Sequence, residues 1–215
     1  MDDRVKNGYA EGMARPRAFD ERRVLEQARD QFWATGYAGT RMDDIARATG
    51  LGKGSLYGAF GDKGKLFHRV FGDWCAAVVD VAEEHLSGGP DAEAMARLAG
   101  YVRLMAENSA SDTGRRGCLM AKGTAELAEQ DPAVAARSAE AMAALIALLR
   151  TEIAAAQRHG DIDAAADPEQ LAGLLLTVVR GMEAVGKAGL DPRVLRGVAD
   201  TAMAVLPKPG SGSAG

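Results

Sequence analysis

The chain has 215 residues, 47% of them hydrophobic and 26% charged, with a formal net charge of −4, which is enough apolar material for a sizeable core in one or two domains. Abundant alanine and scarce β-branched runs favour helix over sheet, so an all-α fold is expected. No apolar run of about 18 residues is present and the N-terminal Met-Asp-Asp-Arg-Val-Lys-Asn lacks a signal-peptide core, so a soluble, cytoplasmic chain with no membrane partner is expected.

Residues 1–16 have no apolar periodicity and form an expected flexible arm; its Arg4, Lys6 and Arg15, with Arg17 just beyond, suit an arm that reaches a minor groove. Asp20 followed by Val24, Leu25, Ala28 and Phe32 predicts a first helix that stops at Gly36. Thr40 can cap a second helix, with Asp43 three residues on reaching back in a capping box. Met42, Ile45, Ala46 and Thr49 then share one face, leaving Arg41, Asp44 and Arg47 outward. Gly50 closes that helix in the left-handed conformation and Leu51 folds back against it. A third helix over 53–60 is anchored by Leu56 and Phe60, which leaves Lys53, Gly54, Ser55 and Tyr57 at its outward, N-terminal end. Two short helices around a glycine turn make a helix-turn-helix, and that end of the second helix is the part that enters a major groove.

The run from Arg17 to Phe71 resembles the N-terminal domain of the TetR family of transcriptional regulators. The pattern T-x-x-D-I-A-x-x-x-G-L-x-K-G-S-L-Y-x-x-F, followed by lysine, is matched from Thr40 through Asp43, Ile45, Ala46, Gly50, Leu51, Lys53 to Tyr57, Phe60 and Lys63. The resemblance implies that Thr40, Lys53, Tyr57 and Lys63 touch backbone phosphates of double-stranded operator DNA, and that Arg41, Lys53, Gly54 and Ser55 lie near base edges. Two positions depart from the pattern. Gly52 replaces the usual Ser or Thr cap of the reading helix and Gly58 replaces an aromatic residue or histidine, so this helix is expected to be loose without DNA.

The charge is unevenly divided. Residues 1–72 hold 13 Lys+Arg against 10 Asp+Glu and the remainder 13 against 20, giving +3 and −7. An acidic C-terminal part is repelled by DNA and helps to orient the molecule.

Asp62 starts a long helix through Leu66, Phe67, Val70, Phe71, Trp74 and Val78 to about Leu86, and Ser87-Gly88-Gly89-Pro90 breaks it. Asp91 is the expected cap of a helix to about Asn108, and a polar loop over 109–116 precedes a helix from Gly117 to near Gln130. Asp-Pro pairs at 131, 167 and 191 open three more helices, to about His159, over 168–187 and over 192–206. About nine helices result: an arm (1–16), a helix-turn-helix domain (17–64), a ligand-binding and dimerisation domain (65–206) and an unstructured tail (207–215). Leu171, Leu174, Leu175, Val178, Val179, Met182 and Val185, with a stripe from Leu195 to Leu206, make broad apolar surfaces on the last two helices. The resemblance implies that they pair with their copies in a homodimer, as a palindromic operator requires.

Trp74, Val78, Tyr101, Met105, Cys118, Met142, Leu145, Leu149 and Met182 are the candidate effector contacts. They lie on apolar faces of the helices that surround the family's ligand cavity, and they point to a small hydrophobic or aromatic effector. Cys75 and Cys118 are too few for a disulfide framework and lack metal-ligand spacing, so reduced thiols and no metal are expected. Cys118 follows Gly117 at a helix N-terminus near Arg115, Arg116 and Lys122, a setting that favours thiolate, and its Gly-Cys-Leu run is similar to one in an electrophile-sensing branch of the family. No cofactor is expected and no catalytic motif is found: Gly52-Lys53-Gly54-Ser55 fails as a phosphate loop and no H-E-x-x-H is present. The expected function is a ligand-released repressor; the rival is a helical small-molecule-binding protein or enzyme without DNA binding.

Overall fold

Aspartate opens five of the helices. Asp20, Asp62, Asp131, Asp167 and Asp191 each accept hydrogen bonds from backbone N–H groups of the turn that follows, and proline fills the first turn in the last three. Each such cap is worth about 1 kcal/mol, so the chain's punctuation is energetically explicit. The structure, a computed structural model, describes residues 19–210. Its helices are α1 (Glu21–Gly39), α2 (Met42–Thr49), α3 (Lys53–Phe60), α4 (Lys63–Leu86), α5 (Ala94–Ser111), α6 (Leu119–Leu127), α7 (Pro132–His159), α8 (Pro168–Lys187) and α9 (Pro192–Ala204). Among the described residues there is no strand, in line with the all-α expectation. The arm, with Arg17, and residues 211–215 of the tail lie outside the described residues. The tail's first residue is held, Pro207 accepting a hydrogen bond from the Asp163 amide at 2.9 Å.

Two expected caps are replaced. Thr40 does not cap α2: its hydroxyl is buried and donates to the Gly36 carbonyl at 2.6 Å, back into α1. Arg41 is the N-cap residue and Asp44, not Asp43, reaches back to its amide at 3.0 Å. Asp91 begins a single 3-10 turn, Asp91–Glu93, and its carboxylate instead binds Arg158 of α7 at 2.8 and 3.0 Å.

Two apolar clusters fill the interior. One joins α1–α3 to the first half of α4, to Leu119 and Met120 of α6 and to Val134 and Ala141 of α7. The other joins the end of α4 to α5, α7, α8 and α9. By composition α7 is long and apolar enough to cross a bilayer. Here it is the central helix of the fold, with Val134, Leu145, Leu149 and Ile153 buried and Arg137, Glu140 and Arg150 exposed. Gly123 lets α6 lie close on α4, since a Cβ there would sit 2.6 Å from the Phe71 ring.

Candidate nucleic-acid interface and effector cavity

The reading end is built by burying one side of two short helices. Met42 and Ile45 of α2 and Leu56 and Phe60 of α3 enter the first cluster, and Gly50 closes α2 at φ 70°. Arg41, Arg47, Lys53, Gly54, Ser55 and Tyr57 are thereby left exposed. The Lys53 ammonium lies 2.6 Å from the Asp43 carboxylate, and that hydrogen bond holds its pKa above the ordinary lysine value. An exposed pair of this kind is weak and easily exchanged for a phosphate. Lys63 is used differently, donating to the carbonyls of Tyr37 and Thr40, both at 3.1 Å, and lying 4.2 Å from the centre of the Tyr37 ring. Of the residues expected on phosphates, Lys53 and Tyr57 are therefore exposed, whereas Thr40 and Lys63 hold the end of α1 against α4.

α1 breaks at Gly36, where φ is 77° and ψ 175°, a conformation open almost only to glycine. The expected stop falls there, although one more turn follows. A broken helix presents unpaired carbonyls on one side of the break and unpaired amides on the other. α6 answers both. Lys122 donates to the Trp33 carbonyl at 2.7 Å, and Glu126 accepts from the amides of Tyr37 at 2.6 Å and Ala38 at 3.3 Å. The Trp33 indole in turn donates to the Gly117 carbonyl at 2.7 Å.

A cavity of about 680 Å3 opens beside this junction, within the range of small-molecule sites. Trp74, Val78, Met105 and Cys118 line it. Tyr101, Leu145, Leu149 and Met182 do not: they are buried in the second cluster, and Met142 is half-buried between the two. They lie behind the cavity wall because the inner faces of α5, α7 and α8 are taken up by their mutual contact. Sequence reasoning missed Trp33, Arg180 and Glu183, which also line the cavity. The available signal was a charged pair three residues apart beside the apolar run of α8. Arg180 Nη1 is 3.1 Å from Glu183 and donates to Cys118 Sγ at 3.6 Å. Burial, and then the nearby Glu183, push the Cys118 thiol up, and burial likewise raises Glu183. Arg116 stands 4.1 Å over the Trp33 ring and Lys122 is spent on α1, so neither activates the thiol. Among the described residues no group of three or more His, Cys, Asp or Glu side chains is placed to hold a metal ion.

Residues 24–70 match the model of the bacterial regulatory proteins of the tetR family, and residues 94–202 match the tetracyclin repressor-like C-terminal domain. The chain belongs to the TetR family. As such it is a DNA-binding transcriptional regulator. Among curated proteins it is similar to the HTH-type transcriptional repressor ComR of Escherichia coli (strain K12), 26% identical over 194 residues, 90% of this chain and 92% of that protein. Among solved structures it is similar to a cysteine mutant of the TetR-family regulator CifR complexed with a 26 bp double-strand operator DNA. That match has a TM-score of 0.77 and 30% identity, and covers 90% of this chain and 100% of the other. A TetR-family regulator from Chloroflexus aurantiacus shares the fold at a TM-score of 0.75 and 23% identity, over 85% of this chain and 91% of the other.

Proposed function

We propose that this TetR-family chain is a homodimeric repressor, released from a palindromic operator by a small molecule bound in the cavity beside Trp33 and Trp74. Its repressing sense is supported by the likeness to ComR, and operator binding by the likeness to CifR. Its place of action is the cytoplasm, where a bacterial promoter is found, and it is a regulator rather than an enzyme. The observation that carries the reading is the exposure of Arg41, Lys53, Gly54, Ser55 and Tyr57 beside a buried Leu56 and Phe60. Residues 17–64 are the reading head in this proposal and 65–206 the sensing and dimerising part. Arg41, Gly54 and Ser55 face base edges, Lys53 and Tyr57 meet phosphates, and Thr40 and Lys63 set the angle of the head without touching DNA through their side chains. Arg17 stays assigned to the arm that reaches the minor groove.

Release runs through α6. An effector that displaces Trp33, or the Gly117 carbonyl bound to it, pulls on the strap that supplies Lys122 and Glu126 to the broken end of α1. α4, which carries Trp74 and Val78 on the cavity wall, pivots with it. An effector that binds the splayed form more tightly shifts the population off DNA by that difference in affinity. Mobility shifts on the DNA flanking the gene, at two salt concentrations, test the reading. A shift that weakens with salt is expected, with Lys53→Ala lowering the salt slope by about 1 and Tyr57→Ala weakening binding. No salt-sensitive shift, or full binding by both variants, refutes it.

A further inference from the structure

Two of the residues that line the cavity, Trp74 and Arg180, carry buried hydrogen-bond donors without an acceptor. Arg180 spends Nη1 on Cys118 and Glu183, but its Nε and Nη2, which together form one edge of the guanidinium, are buried without an acceptor. The indole N–H of Trp74 is also buried and unpartnered, while Glu183 meets Arg180 only through the Oε2–Nη1 ion pair. Tyr101, behind the cavity wall, is close to both Arg180 and Glu183. Two further cations, Arg116 and Lys187, line the cavity, against Asp112, whose carboxylate already accepts from the Gly117 amide at 2.8 Å. Buried donors without acceptors are rare in folded proteins, and each calls for an explanation. The two N–H groups on one edge of an arginine match the two oxygens of a carboxylate, which a single carbonyl cannot do. Beside them Trp33 and Trp74, with ring centres 4.5 Å apart and planes tilted by 58°, give the wall two aromatic faces.

We infer that the effector is a planar aromatic carboxylic acid, its carboxylate held by the Nε and Nη2 edge of Arg180 next to Trp74 and its ring against the two tryptophans. This rests on reading the cavity as the effector site. Glu183 is then the opposing carboxylate: it stays on Nη1 while the incoming group takes the other edge, and the repulsion between the two negative charges makes it set affinity from the opposite direction to Arg180.

Calorimetric titration of the full chain with 2-naphthoate, its methyl ester and cyclohexanecarboxylate tests this. The expected result is saturable binding of 2-naphthoate, with the methyl ester weaker by roughly tenfold or more, the scale of a lost charge-assisted hydrogen bond, and cyclohexanecarboxylate weaker because it has no aromatic ring to set against the tryptophans. Arg180→Met loses about the same factor. Arg180→Lys, which keeps the charge but not the fork, also weakens binding and carries the test if the methionine variant fails to fold. Glu183→Gln tightens binding, a change in sign that a merely structural role does not produce. No binding of 2-naphthoate, equal binding of the ester, or indifference to Arg180→Lys overturns the inference. Operator binding is measured on the same preparation without acid. A salt-sensitive shift with no preference for the acid sinks this inference alone, and acid binding without any shift sinks the regulator reading alone.

Discussion

At Cys118 a helix N-terminus and three nearby basic residues favour thiolate on paper, but sequence spacing does not say which way those residues point. In the fold Lys122 turns to α1, Arg116 lies over Trp33 and burial raises the thiol. Burial also pushes Cys75 up to about 11. Both thiols are therefore expected to react slowly with a disulfide reagent at pH 8, more than about tenfold slower than in the denaturant-unfolded chain, with the Cys75 rate still climbing as pH approaches 11. A native Cys118 that labels at the unfolded rate contradicts this account. Linkage has the same origin. Between the ordinary thiol value of 9.0 and about 11 the folded chain keeps a Cys75 proton that the unfolded chain has released, so its contribution to stability declines as pH rises through that window. Thr40 and Lys63 teach a similar lesson: the motif locates them, but only the fold reveals that they are spent on carbonyls of α1.

Among the elements, α3 rests on the least support. It has no side-chain cap, a Cβ at Gly54 or Gly58 would meet only open space, and its hold on the fold is through Leu56, Phe60 and the half-buried Ala59. An interior glycine costs about 1 kcal/mol relative to alanine, and α3 has two. Hydrogen exchange is expected to show weak protection at 56–59 in the free protein and stronger protection on operator DNA; strong protection without DNA defeats the prediction. The boundaries of α4, α7, α8 and α9 were legible in the sequence because Asp, Pro and Gly mark them chemically, whereas α5 and α6 begin without a side-chain cap. The α6 strap was not legible. Its role depends on Glu126 and Lys122 meeting a break in α1 some ninety residues earlier, and no periodicity reports a long-range contact of that kind.

For the molecule as a whole, α4 and α7 belong to both apolar clusters, so two continuous helices join the two cores. Outside the cores, Leu174, Val185 and Val194 are 43%, 42% and 48% exposed on α8 and α9, with open space at Gly173, Gly181 and Gly197. Aspartate at Leu174 and Val194 leaves the monomer's core intact and places charge on the proposed seam. The double variant is expected to be monomeric by light scattering at micromolar concentration and to lose about 100-fold or more in operator affinity, the advantage of two tethered heads. A dimer that survives both changes places the seam elsewhere. The packed pair of Trp33 and Trp74 has an optical consequence. They are the chain's two tryptophans, so all its indole fluorescence arises at the wall between the cavity and the helix that leads to α2 and α3. The native protein therefore carries a built-in, label-free lamp whose brightness and colour report the state of that junction.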